Sequence, residues 1–155
     1  MSLTIQELER FVTELAADPS RWEHLIRHDP AARTYELIHD DEHVNAWLIC
    51  WSKDADTGFH DHDESAAAIR VIGGHVKEDR LCLSAPPRER VLGPGSTFSV
   101  PPTAIHRVLH AGEGPAVTIH AYSPPLTRTG AYWVGPGGEL QRVSQSYEEE
   151  LTAAA

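Results

Sequence analysis

The sequence predicts an all-β domain, a sandwich or barrel of short antiparallel strands that follows a short helical segment. Two observations support this prediction. Runs of β-branched and aromatic residues, each only a few residues long, succeed one another from residue 33 onward, and breakers rich in Gly, Pro or Asp separate them. Short strands at this spacing, without helical patterns between them, favour antiparallel sheets over alternating strand–helix units.

The first 28 residues are predicted to be helical. Thr4 and Glu7 have the spacing of a capping box. The apolar residues that follow recur at helical intervals: Leu8, Phe11, Val12 and Leu15. Ser20 and Glu23 repeat the capping signal, and Pro30 ends the helical pattern. We therefore expect two short helices in residues 1–28, packed on the β-rich segment.

Residues 33–143 are predicted to form the β-barrel core. The candidate strands are Thr34–Ile38, Val44–Ser52, Ala67–Ile72, His75–Leu83, Glu89–Leu92, Ser96–Val100, His106–His110, Ala116–Tyr122, Ala131–Val134 and Leu140–Val143. The acidic tail, residues 144–155, is expected to be a short helix or a frayed end. Because the chain has 155 residues, no repeats and no long linker, we expect a single domain, 1–155.

Charge and composition narrow the class of partner. The formal net charge is −10 with His neutral, which disfavours nucleic acid and anionic membranes because both reward a basic surface. No apolar stretch approaches the roughly 20 residues of a membrane span, and the N-terminus lacks the pattern of a signal peptide. We expect a cytoplasmic monomer or small homo-oligomer in which Cys50 and Cys82 are free thiols.

His60 and His62 form an H-x-H pair. On a strand, such residues face the same side, roughly 6–7 Å apart in Cα, so their imidazoles can converge on one metal. A lone H-x-H is a weak signal of a metal site, and by itself it favours two exposed polar residues near a turn. The spacing of further residues is needed to decide between these interpretations.

That spacing resembles the first motif of the cupin family, G-x5-H-x-H-x3,4-E-x6-G. After His60 and His62, Ala67 stands in the Glu position and Gly74 in that of the closing Gly. Asp54 replaces the leading Gly, which is a departure from the motif.

The second cupin motif, G-x5-P-x-G-x2-H-x3-N, is matched in spacing farther along the chain. Its positions are occupied in order by Gly95, Pro101, Thr103, His106 and His110. Together the two motifs imply a cupin double-stranded jelly-roll barrel. They also imply a metal site formed by three residues: His60, His62 and His106.

A three-His cupin without the Glu resembles the thiol dioxygenases, cysteine dioxygenase in particular, since Ala67 cannot bind a metal. Four segments carry this resemblance: Leu48–Trp51, His60–Asp63 (H-D-H-D), Gly74–Glu78 (G-H-V-K-E) and His120–Pro125 (H-A-Y-S-P-P). The resemblance covers roughly residues 33–126. It implies Fe(II) on the three histidines and the oxidation by O2 of a small thiol, with L-cysteine the expected substrate, to its sulfinic acid. Imidazole also suits Zn, Cu and Ni, so ligand type alone leaves the metal open.

The resemblance also implies catalytic residues. Thr118, His120 and Tyr122 match the family's Ser-His-Tyr triad, with Thr in place of Ser, and period-2 spacing puts all three on one face of a strand. The family's cis peptide bond falls on Ser123–Pro124. Ala67 occupies the place of the Cys that some members join to the Tyr, so no such crosslink can form.

The substrate-binding residues are less clearly marked. The family's carboxylate-binding Arg aligns with Tyr35, and Arg33 is the nearest Arg. Related mercaptopropionate dioxygenases use an Arg after the Tyr signature, a region that contains Arg128. A guanidinium can bind a carboxylate through two hydrogen bonds. Either Arg is also compatible with a solvated surface position.

Three alternatives stay open at this level. The substrate of a thiol dioxygenase can be 3-mercaptopropionate or another thiol. The chain can be a non-catalytic metal- or ligand-binding cupin, or an isomerase that uses Zn or Mn.

The acidic residues beside the histidines, Asp61, Asp63 and Glu64, also have two interpretations. They are either solvated or include an acceptor for the second nitrogen of a metal-bound His.

Overall fold

The computed structural model of the chain describes residues 2–152 and confirms the all-β prediction. Met1 and residues 153–155, the end of the predicted tail, lie outside this range. The strands are β1 Thr34–Asp40, β2 Asn45–Trp51, β3 His60–Asp61, β4 Ala66–Gly73, β5 His75–Cys82, β6 Ala85–Leu92, β7 Thr97–Val100, β8 His106–Ala111, β9 Ala116–Ser123, β10 Arg128–Val134 and β11 Leu140–Ser146. The helices are α1 Ile5–Ala16 and α2 Tyr147–Thr152.

The described strands form two antiparallel sheets. One has the order β1-β2-β9-β4-β7 and the other β11-β10-β3-β8-β5-β6. Apolar side chains from both sheets, among them Ile69 and Val108, meet in one buried cluster between them. Of the metal-motif histidines, His60 lies on β3, His62 directly follows that strand, and His106 lies on β8 of the same sheet. The triad lies on β9 in the other sheet. The two predicted functional groups therefore face one another across the interior.

Helix α1 begins as the sequence predicts. Thr4 accepts a hydrogen bond from the Glu7 backbone N–H, and the Glu7 carboxylate accepts one from the Thr4 N–H. Leu8, Val12 and Leu15 are buried on one side of the helix, and full burial of each such side chain contributes roughly 1.5–3 kcal/mol. No helix among the described residues is long and apolar enough to cross a membrane.

Strand β9 is buried along its whole length because both of its faces are covered. Alternate residues such as Ile119 and Ala121 pack in the cluster that includes Leu8 and Val12 of α1. Between them, the side chains of the triad point to the opposite face, as period-2 alternation requires. Helix α1 thus closes the outer face of the sheet that carries the triad.

Three local predictions differ from the structure. The second predicted helix is instead two single turns of 3₁₀ helix, Pro19–Arg21 and Glu23–Leu25, without a side-chain cap. Strand β6 begins before the Pro86–Pro87 pair, which the sequence pattern predicts to interrupt a strand. This strand lies at the edge of its sheet, where the missing N–H of a proline is tolerated. The H-x-H segment forms a two-residue strand of its own, β3.

The structure requires glycine at two motif positions for different reasons. Gly74 and Gly95 both have positive φ, 67° and 87°, which only Gly adopts without strain. A Cβ on Gly74 would lie 2.3 Å from the Pro115 carbonyl oxygen, whereas nothing lies within 4 Å of one on Gly95. Gly74 is therefore required for a close approach of two backbone segments as well as for its φ.

We expect Gly74→Ala to destabilise the protein much more than Gly95→Ala. The positive φ costs each variant about 1–2 kcal/mol, and the backbone clash adds about 2 kcal/mol or more to Gly74→Ala alone. Urea unfolding of both variants measures the difference. Equal losses in the two variants would show that the contact with Pro115 relaxes without cost.

Candidate metal centre

Three buried imidazoles converge between the sheets. His60 of β3 lies directly opposite His106 of β8 in the strand register, and His62 follows two residues after His60. The His62 Nε2 lies 3.2 Å from the Nε2 of His60 and 3.4 Å from that of His106. One ring nitrogen from each residue lies within 4.8 Å of the other two. The structure thus brings together all three histidines of the predicted metal site.

The outward-facing nitrogens of two rings determine what the cluster can hold. His60 Nδ1 lies 3.0 Å from the Gly58 carbonyl oxygen, and His106 Nδ1 lies 2.7 Å from a carboxylate oxygen of Glu78. Both partners only accept, so each Nδ1 carries the proton and each Nε2 has a bare lone pair. Lone pairs that face one another at hydrogen-bond distance fit a bound cation. The residues present therefore fit a metal ion.

Burial keeps the rings of His62 and His106 in the neutral form that binds a metal. It lowers the pKa of His62 and of His106 well below the usual value, and the neighbouring His60 lowers both further. A neutral imidazole can bind a metal without first losing a proton. Among the described residues, His62 Nδ1 is a buried nitrogen without a hydrogen-bond partner.

Glu78 is the acceptor that the sequence analysis missed. It is 2% exposed on β5, and its two oxygens also accept hydrogen bonds from Arg80 and Arg90, each at 3.0 Å. A carboxylate behind a ligand histidine fixes the ring and raises its basicity. The strand pattern contained the signal, since Glu78 follows the inward-facing Val76 at period 2.

Asp61, the nearest acidic candidate, does not pair with a ligand nitrogen. Its carboxylate accepts hydrogen bonds from Arg142 at 2.9 and 3.0 Å, from the Tyr132 hydroxyl and from the Gly130 N–H. Burial raises the pKa of Asp61, but the hydrogen bonds from Arg142 and Tyr132 outweigh it and hold the pKa well below the usual range. Asp61 thus ties the histidine segment to the β10–β11 hairpin. Its alternation with His60 and His62 explains the difference, since it faces the other side of β3.

Asp63 and Glu64 are exposed. Arg142 lies 3.6 Å from the Asp63 carboxylate. Ala67 is buried on β4, directly opposite Tyr122 in the register. Where the motif has Glu, this chain therefore has only the methyl group of Ala67. Among the described residues, the candidate metal ligands are three histidine nitrogens and no carboxylate.

The predicted triad forms a hydrogen-bonded chain. Trp51 Nε1 donates to Thr118 Oγ1 at 2.8 Å, Thr118 Oγ1 lies 2.8 Å from His120 Nε2, and His120 Nδ1 lies 3.2 Å from the Tyr122 hydroxyl. The Tyr122 hydroxyl lies 2.7 Å from that of Tyr147. Trp is a donor only, and among these contacts only His120 can take the Thr118 proton.

The chain therefore has a direction. Thr118 donates to His120 Nε2, His120 Nδ1–H donates to the Tyr122 oxygen, and the Tyr122 hydroxyl shares a hydrogen bond with that of Tyr147. Burial, together with His60 and Arg33, lowers the pKa of His120 to about 3. Burial raises the pKa of Tyr122 above its usual value even though the hydrogen bond with Tyr147 lowers it. At neutral pH every member of the chain is uncharged.

The structure separates the candidate substrate residues. Arg33 is buried, its guanidinium lies over the Trp51 ring at 5.7 Å, and it pairs with Glu150 of α2. Tyr35 is partly buried against Trp47. Arg128 is exposed at the start of β10, where its Nε donates to Ser144. Arg33 therefore lies beside the triad, and Arg128 is not brought into the buried cluster.

Tyr147 and Glu150 of α2 are site residues that the sequence analysis does not predict. Both are buried, and both contact residues of the candidate site. The available signal was weak: Tyr147, Glu150 and Leu151 have the spacing of one helix face in an otherwise acidic tail. The Ser123–Pro124 peptide bond that leads out of β9 is cis, as the sequence predicts.

Comparison with known proteins agrees with this geometry. The family model for cysteine dioxygenase type I matches residues 2–133. The chain is 25% identical to cysteine dioxygenase type 1 of Danio rerio over 136 residues, which are 81% of this chain and 68% of the fish protein. It is 24% identical to the human enzyme of that name over 140 residues, 84% of this chain and 70% of the human one.

Solved structures support the fold. The protein TT1209 from Thermus thermophilus aligns with a TM-score of 0.59 at 20% identity, over 66% of this chain and 93% of that protein. A cupin superfamily protein from Desulfitobacterium hafniense aligns with a TM-score of 0.54 at 14% identity, over 66% and 87% of the two chains. These likenesses confirm the predicted cupin barrel.

We expect Glu78→Gln to weaken metal binding about tenfold to a hundredfold. The amide can still accept from His106 Nδ1–H, but it lacks the negative charge that makes the imidazole a better ligand. Competition with a chromophoric chelator under argon measures the Fe(II) affinity. Glu89→Gln, which removes an exposed carboxylate paired with Lys77, is the matched control. Unchanged affinity in a stably folded Glu78→Gln protein would contradict the role given to Glu78.

Proposed function

The chain belongs to the cysteine dioxygenase type I family of cupins, and we propose that it is a non-haem Fe(II) thiol dioxygenase that oxidises L-cysteine to its sulfinic acid. The overall reaction is R–SH + O2 → R–SO2H. Both oxygen atoms are transferred to sulfur, which supplies the electrons, so no external reductant is needed. The predicted cytoplasmic location, the monomer or small homo-oligomer, and the lack of nucleic-acid and membrane partners stay predictions.

One observation supports this proposal above the others: three imidazole nitrogens converge in a buried site, and among the described residues no carboxylate joins them as a candidate ligand. His60, His62 and His106 would hold the metal through Nε2. When bound, Fe(II) supplies open coordination positions for a thiolate and for O2, together with the redox chemistry between them. Glu78 and the Gly58 carbonyl keep two of the rings in the required tautomer.

Side chains that are not metal ligands have the remaining roles in the proposed reaction. The Tyr122 ring lies 5.2 Å from the His62 ring, centroid to centroid. Its hydroxyl is uncharged and is held from behind by His120, so we assign it the hydrogen bond to the reacting oxygen or sulfur atom. Trp51 and Thr118 fix the His120 ring. In this proposal the Tyr122 hydroxyl would serve as proton donor to a substrate held at the buried metal.

Arg33 is the residue we propose for the substrate carboxylate. Its guanidinium is buried beside the triad, and its charge contributes to the low pKa of His120. A cleft of about 550 Å³ borders Arg33, Tyr35 and Leu151, which gives a small molecule a route towards the guanidinium. The exposed Arg128 is the alternative.

The competing functions differ in chemistry. 3-Mercaptopropionate has the thiol and the carboxylate of cysteine but lacks its amine, so the same Arg33 would serve it. A binding protein without catalysis, or an isomerase that uses Zn or Mn, needs no phenol beside the metal. The buried hydrogen-bonded chain that includes Tyr122 favours the dioxygenase over both.

We expect the Fe(II)-loaded protein to couple O2 uptake to sulfinate formation. The apoprotein is loaded under argon, and O2 uptake is then followed with L-cysteine, 3-mercaptopropionate and cysteamine. Mass spectrometry with ¹⁸O2 should find both labelled atoms in the product, with cysteine as the best substrate. An iron-loaded protein that consumes no O2 with any thiol would favour the binding-protein alternative.

Replacing Tyr122 with Phe removes the hydroxyl and keeps the ring. We expect kcat for sulfinate formation to fall by about a hundredfold, since a donor that acts on the reacting atoms is lost. The iron content should stay the same because Tyr122 is not a ligand. Single-turnover product analysis, with iron measured on the same sample, tests this. An unchanged rate and yield would show that Tyr122 only supports the strand.

A further inference from the structure

The C-terminal helix α2 places two side chains inside the site. Tyr147 and Glu150 are three residues apart, so they lie on one face of the helix. They are 4% and 3% exposed, and Leu151 beside them packs into the core between the sheets. A helix of six residues has little stability of its own. Its position therefore depends on these contacts with the barrel.

The contact between Glu150 and Arg33 uses the guanidinium incompletely. One Glu150 oxygen lies 3.4 Å from Arg33 Nη1, and Arg33 Nη2 donates to the Glu150 backbone carbonyl at 2.9 Å. A carboxylate that binds both nitrogens makes two short charge-assisted hydrogen bonds and is held more strongly. A small carboxylate can therefore compete with Glu150 for Arg33.

The Glu150 carboxylate also determines whether the Arg33 guanidinium is available to bind a ligand. Among residues 2–152, it is the one carboxylate within ion-pair distance of Arg33. The other arginines around the metal centre are already bound to carboxylates: Arg80 and Arg90 to Glu78, and Arg142 to Asp61. A substrate carboxylate that enters the site thus meets a positive charge only where Glu150 gives way.

Tyr147 links the same helix to the phenol of the site. Its hydroxyl lies 2.7 Å from that of Tyr122. The Tyr147 ring also packs edge-on against Trp47, 5.4 Å away. While α2 is docked, the two hydroxyls share a hydrogen bond. Displacing α2 would free the Tyr122 hydroxyl as well as the Arg33 guanidinium.

We propose that Glu150 is a specificity-determining residue that competes with the substrate carboxylate for Arg33. This inference rests on the proposed thiol oxidation and on the site described for it. Thiols with a carboxylate must displace Glu150, whereas thiols without one bind with α2 in place. The wild-type chain therefore discriminates against carboxylate-bearing thiols more than Arg33 by itself would.

Thiol binding without turnover tests the proposal directly. Calorimetry under argon on the Fe(II)-loaded protein gives Kd values for 3-mercaptopropionate, L-cysteine and cysteamine. In Glu150→Gln, which keeps the shape and removes the charge, we expect the two carboxylate thiols to bind about tenfold more tightly, which corresponds to about 1.4 kcal/mol. The Kd of cysteamine should change little, because cysteamine has no carboxylate to compete for Arg33.

Glu148→Gln is the matched control, since it removes a neighbouring, exposed charge from the same helix. It should leave all three Kd values unchanged. Equal changes for the carboxylate thiols and cysteamine in Glu150→Gln, or no change in either, would overturn the proposal. Thermal unfolding of each variant shows whether it is folded.

Hydrogen exchange of the wild-type protein tests whether a carboxylate-bearing thiol displaces α2, even if Glu150→Gln does not fold. Saturating 3-mercaptopropionate should speed exchange of the amides of residues 147–152, and cysteamine should not. Equal protection with both thiols would contradict the displacement of α2. Because these measurements exclude O2, their failure is distinct from failure of the proposed reaction, which the O2-uptake assay reports.

Discussion

The convergence of three imidazole rings at one buried point is the constraint on which the rest of the structure depends. In such an arrangement, the other nitrogen of each imidazole ring must be held by an acceptor or shielded from water. The Gly58 carbonyl and the Glu78 carboxylate hold two of them. Glu78 in turn is a buried charge, and such a charge is tolerated only when paired. Arg80 and Arg90 provide that pairing from β5 and the edge strand β6, so the contacts of the metal centre extend across four of the six strands of its sheet.

The opposite sheet meets a different requirement. Its strand β9 carries a polar triad on one face and apolar residues on the other, and neither face can be left in water. Helix α1 covers the apolar face, and the triad on the other face is buried in the interior between the two sheets. The dry interior has a direct chemical effect. It keeps His120 neutral and Tyr122 protonated, so the triad can pass a hydrogen bond but does not carry charge to the metal.

The two sides of the site are joined through the C-terminal hairpin. Asp61 lies between two of the candidate ligands and binds Gly130 and Arg142 of the β10–β11 hairpin. Strand β11 runs directly into α2, whose side chains reach Tyr122 and Arg33. The segment that carries the histidines and the helix that contacts the candidate substrate residues are thus fixed to the same hairpin. This connection explains how a short helix is positioned precisely enough to contact both residues.

The sequence by itself determined what depends on local spacing: the strand-rich fold class, the H-x-H pair, the motif that adds His106, and the triad on one face of one strand. Periodicity also placed the cap of α1. Only the tertiary structure decided which charges meet, because those contacts join residues far apart in the chain. Glu78 reaches His106 across paired strands, and Glu150 reaches Arg33 across 117 positions. Which distant strands pair, and in which register, is a property of the whole packed barrel and cannot be deduced from any one segment.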